Sequence, residues 1–70
     1  MSYKRKLDEA CLDFFLVTIE RHGAPQVSGS VLSVDDKGAT IRTEEELEVY
    51  IEFTSMRGVT ITGWDLSAGD

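Results

Sequence analysis

Few side chains in this 70-residue chain are of the types that do chemistry, and their spacing keeps them apart. His22 is the only histidine and lies beside Gly23 and Pro25, in a segment with the composition of a solvated turn. Cys11 is the only thiol, and it falls on an apolar helical stripe rather than next to a base. Nucleophilic catalysis needs a base within hydrogen-bond reach of Ser, Thr or Cys, so no triad is expected. Glu44, Glu45 and Glu46 would attract a cation, but adjacent residues at a strand end point in different directions and do not converge on one ion. The glycines, at 23, 29, 38, 58, 63 and 69, are too scattered for a phosphate-cradling loop. The expectation is a protein that is not an enzyme and holds neither metal nor cofactor. Tyr50 and Trp64 are the aromatics expected at the surface, where an oligomer interface or edge packing accounts for them better than stacking on a base.

The elements that must position these groups follow from hydrophobic period. Leu7, Ala10, Cys11, Phe14 and Phe15 share one stripe of a helix, predicted over residues 4–14. From Leu16 the period becomes two. Val17 and Ile19 alternate with Thr18 and Glu20, and His22 to Pro25 closes a hairpin. Gln26 to Val34 makes a second strand with Gly29 near its middle, where glycine permits a sharp bend or the close approach of another backbone. Asp35-Asp36-Lys37-Gly38 supplies a turn with Gly38 free to take a positive φ, and Ala39 to Thr43 is a short third strand. After the charged tip at 44–46, Leu47, Val49, Ile51 and Phe53 alternate with polar residues as a fourth strand. Val59 and Ile61 mark a fifth, and residues 63–70 read as a tail that is loose except for Trp64. The prediction is one mostly β domain over residues 1–70: an N-terminal α-helix, then a strongly bent five-stranded antiparallel barrel over residues 16–62.

A chain this short buries only about 60% of the surface its unfolded form exposes. With one cysteine and no His/Cys cluster, disulfides and zinc do not supply the shortfall, so self-association is expected. The net charge is −6, yet Lys4, Arg5 and Lys6 stand together at the start. Setting them aside leaves four basic residues against thirteen acidic ones, a body of about −9. Such a body repels phosphates, so any RNA contact must be local. No apolar run reaches the roughly 20 residues needed to span a bilayer, and residues 1–10 lack the apolar core of a secretory signal; a cytoplasmic protein away from membranes is expected.

Gly29-Ser30-Val31-Leu32-Ser33-Val34-Asp35 resembles the first motif of the Sm-like small β-barrels, the family that includes bacterial Hfq. It has the glycine, the alternating apolar residues, and the aspartate six positions on. Val49-Tyr50 falls fifteen residues past Asp35, as a similar dipeptide does in Hfq. In an alternative register, Arg57-Gly58 matches the Arg-Gly of archaeal-type Sm proteins. The resemblance covers roughly residues 7–62. It implies an SH3-like barrel, a homo-oligomeric ring formed by pairing strand four of one copy with strand five of the next, and binding of single-stranded RNA. Carried over residue by residue, it assigns Asp35, Arg57 and Gly58 to RNA, with Lys37 as a nearby cation, and the strand pairing it implies puts Val49, Tyr50, Ile51, Val59 and Ile61 at the ring interface. The chain departs from the pattern at Ala39, where the Sm motif has a base-holding asparagine, and at Ile51-Glu52, where Hfq has Lys-His. Leu7-Asp8-Glu9-Ala10-Cys11 is similar to the helix segment of the Rof family, acidic Sm-like barrels that inhibit the termination factor Rho by occupying its RNA-binding surface. That resemblance implies a module for a basic protein partner, which the acidic body suits.

Overall fold

The computed structural model describes residues 3–64, which form one helix and five antiparallel strands. Helix α1 spans Tyr3–Leu12 and buries Leu7 and Ala10 completely, with Cys11 half-buried beside them. The predicted stripe runs too far. Asp13 N–H donates to the Glu9 carbonyl, and Phe14 then turns left-handed at φ 57°, which ends the helix and leaves its ring exposed. Phe15 rejoins the core face as the first residue of the next strand.

Strand β1 (Phe15–Arg21) points Val17 and Ile19 inward, as their alternation requires. A two-residue turn, His22-Gly23, with Gly23 at φ 68°, leads directly into β2 (Ala24–Val34). That strand starts before Gln26, so Pro25 lies within it. Gly29 pairs with Val17 on one side and Thr43 on the other, and a Cβ there would collide with the Arg42 carbonyl. The glycine therefore serves close backbone approach. A register slip between Val31 and Ser33 leaves Leu32 without a partner on the next strand and sets exposed Ser33 beside it.

Strand β3 (Gly38–Thr43) carries Ala39 and Ile41 into the core. Strand β4 is shorter than its pattern suggests, Glu48–Glu52. Glu46 is left-handed at φ 63°, so Leu47 stays outside the strand and 59% exposed, a departure from the predicted alternation. Phe53 packs on the core from a 3-10 turn (Phe53–Ser55) rather than from β4. Strand β5 (Met56–Trp64) takes in Gly63 and Trp64, which the sequence pattern placed in the tail; residues 65–70 of that tail lie outside the described residues.

The five strands form a single sheet in the order β4-β3-β2-β1-β5, every neighbour antiparallel. The fold is thus mostly β behind an N-terminal helix. Among the described residues, eleven apolar side chains make the core, with Leu7, Val17, Ile19 and Ile41 the largest fully buried ones. Helix α1 packs chiefly on β2, and among the described residues no helix is long and apolar enough to cross a membrane.

Candidate functional site

Asp35 takes part in several hydrogen bonds. It sits at the end of β2, where its Oδ1 accepts the backbone N–H groups of Lys37 at 2.8 Å and Gly38 at 2.7 Å. The turn is closed by this carboxylate, with Gly38 outside the left-handed region that the sequence reading gave it. Gly38 is required for another reason: a Cβ there would meet the Ile51 carbonyl across the β3–β4 pairing. From β4, the Tyr50 hydroxyl reaches both Asp35 oxygens, at 3.0 and 3.2 Å. The two backbone bonds, then the Tyr50 bond and the Lys37 charge, hold the Asp35 carboxyl below its ordinary 3.8 despite some desolvation. Desolvation first, then the bond to Asp35 and the nearby Glu52 charge, push the Tyr50 phenol above 10.0. A short β4 edge strand is thereby pinned to the β2–β3 turn by a side-chain bond spanning fifteen residues.

Of the other predicted RNA-binding residues, Arg57 and Gly58 lie elsewhere. Arg57 lies at the start of β5, where its guanidinium donates to Glu20 of β1 at 2.9 Å, and Gly58 pairs with Glu20 across the two strands. The Arg57 carbonyl accepts the Tyr3 hydroxyl at 2.9 Å, which ties the first turn of α1 to β5. Lys37 is exposed in the Asp35 turn. The predicted set thus falls into two groups, Asp35 with Lys37 and Tyr50, and Arg57 with Gly58, Glu20 and Tyr3. Ala39, at the position of the Sm asparagine, is 1% exposed and belongs to the core.

The predicted interface residues divide by face. Ile51 and Val59 are core side chains, so only their backbones could meet a partner. Val49 and Ile61 are half-buried, and Tyr50 is 49% exposed. All five lie on β4 or β5, the two outer strands of the sheet. Exposed Leu47 stands just before β4. At the far end of β5, Trp64 is 66% exposed and tilts against Phe15 with ring centroids 5.6 Å apart. Phe15, Ile61, Gly63 and Trp64 there line an apolar cleft of about 90 Å³.

Sequence reasoning missed Glu20 as the partner of Arg57, because that contact depends on the β1–β5 pairing of residues 37 apart. The Asp35–Tyr50 bond had a signal in the fifteen-residue spacing. Among the described residues, no three His, Cys, Asp or Glu side chains gather to hold a metal. No protein family model matches the chain, and no curated protein is found as a relative.

Proposed function

We propose that this chain is a non-enzymatic Sm-like module of RNA metabolism that assembles head to tail into a ring, β4 of one copy pairing with β5 of the next. The observation that carries the reading is the sheet order itself: β4 and β5 are outermost, joined by a three-residue turn behind a packed helix. The bond between Asp35 and Tyr50, the two residues singled out by the Sm-like spacing, supports it. An outer strand presents unpaired N–H and C=O groups to another chain, and a head-to-tail contact closes into a ring when its rotation permits. Single-stranded RNA is the proposed ligand, held on a restricted surface because most of the body is acidic. Multi-angle light scattering at tens of micromolar tests the assembly, and titration of a fluorescent oligo-U tests the ligand. A multimer that binds oligo-U with a steep salt dependence is expected. A monomer rules out the ring.

A second reading is favoured by a specific observation. Ala39 is buried and the Arg57 guanidinium is engaged by Glu20, while Glu48, Tyr50 and Glu52 stand exposed along β4. This suits an acidic module of Rof type that occupies a basic protein surface such as that of Rho. It predicts a monomer or dimer indifferent to oligo-U and bound to its partner in a salt-sensitive way.

A further inference from the structure

We propose that helix α1 is exchanged between copies: in a pair, each helix leaves its own sheet at Phe14 and docks on the sheet of the other, in the place its counterpart has vacated. The inference is independent of the β4–β5 assembly, because it uses the free edge of neither strand.

The exchange starts from a strained connection. Only Asp13 and Phe14 link α1 to β1, and Phe14 holds φ 57°. That region suits glycine, asparagine or aspartate and disfavours a bulky side chain. The strain has no relief in place. Two residues reach about 7 Å at full extension, so α1 returns to its own sheet only through the left-handed turn, and an extended Phe14 carries the helix away from it.

Strain at the connection weighs in the balance because the docking contacts do not. They are the same whichever copy supplies the helix: Leu7 and Ala10 fully buried, the Tyr3 hydroxyl donating to the Arg57 carbonyl, and the Cys11 thiol donating to the Leu32 carbonyl. These terms cancel between the closed and exchanged forms. What remains is the cost of bringing two chains together, set against the release of two left-handed turns and the new contact that the hinges make. A second observation bears on that contact. Leu12 and Phe14, on either side of Asp13, are 78% and 55% exposed and belong to no core in the closed subunit. In a reciprocal pair the two hinges run side by side about a twofold axis, so each Leu12 and Phe14 meets its counterpart in a self-complementary contact. The occupant of the vacated site is therefore a second copy of this chain.

Isotope-filtered NMR on the wild type reads the exchange directly. Methyl-labelled chains are mixed with unlabelled chains in urea and refolded together. Exchange predicts nuclear Overhauser contacts from Leu7 and Ala10 of one chain to core methyl groups of another, and contacts confined to single chains overturn it. Hinge substitutions give a second reading. Phe14→Gly removes the strain and should lower the ratio of exchanged to closed helices at least about tenfold. Phe14→Val is β-branched and more strained in the left-handed region, so it should raise that ratio. A ratio that responds to neither substitution, in variants with the wild-type circular dichroism, overturns the exchange as well. The wild-type mass separates this inference from the ring. Interchain contacts in a species of twice 7.8 kDa leave the exchange standing without the ring, and intrachain contacts in a larger multimer leave the ring standing without the exchange. A monomer overturns both.

Discussion

At the scale of residues, the Asp35 carboxylate links the β2–β3 turn to β4 through two backbone donors and one phenol. Its folded pKa lies below the ordinary 3.8, so the contribution to stability is fully present above that value and is lost as pH falls through the lower folded value. Urea titrations at pH 7 and pH 3 should show wild type losing more stability on acidification than Asp35→Asn, which has no carboxylate to protonate at that site. Equal losses would remove the carboxylate from the account. Tyr50→Phe should move the Asp35 carboxyl, followed by NMR titration, upward but not fully to 3.8, because the backbone donors are the larger cause. Gly29→Ala places a methyl group against the Arg42 carbonyl and should destabilise the fold by about 1–3 kcal/mol in urea unfolding. The aspartate turn and the need for glycine at position 29 were legible in sequence. The turn's closure by a carboxylate, with Gly38 needed for β4 to approach, was not, since both depend on how β3 and β4 pair.

At the scale of elements, hydrophobic period located the helix and all five strands but misplaced several ends. Period reports which face a residue prefers, and backbone conformation decides where an element stops. Phe14 continues the apolar stripe of α1 yet adopts φ 57°, and Leu47 continues the alternation of β4 yet follows a left-handed Glu46. A bulky residue in the left-handed region costs roughly 1–2 kcal/mol. Phe14→Gly relieves that strain while adding freedom to the unfolded chain, so a net stabilisation of up to about 1 kcal/mol is expected by thermal or urea unfolding. A destabilised variant would show that the Phe14 ring contributes packing that outweighs its strain. Leu47, just before β4, and Trp64, at the end of β5, are both exposed.

At the scale of the whole molecule, a small chain with eleven buried apolar side chains among the described residues carries a net charge of −6 and two outer strands. Its acidity separates it from an ordinary RNA-binding surface, and its sheet order aligns it with head-to-tail assembly. The predicted RNA residues divide between the Asp35 turn and the Arg57–Glu20 pair, so fold and ligand site were not equally legible. A strand pattern is carried by many apolar positions, whereas a binding site rests on a few side chains whose partners come from distant strands. The most direct test is the mass of the wild-type chain in solution, by multi-angle light scattering at tens of micromolar. Assembly through β4 and β5 predicts one closed species at an integral multiple, greater than two, of the 7.8 kDa subunit. A single species of 7.8 kDa would contradict it.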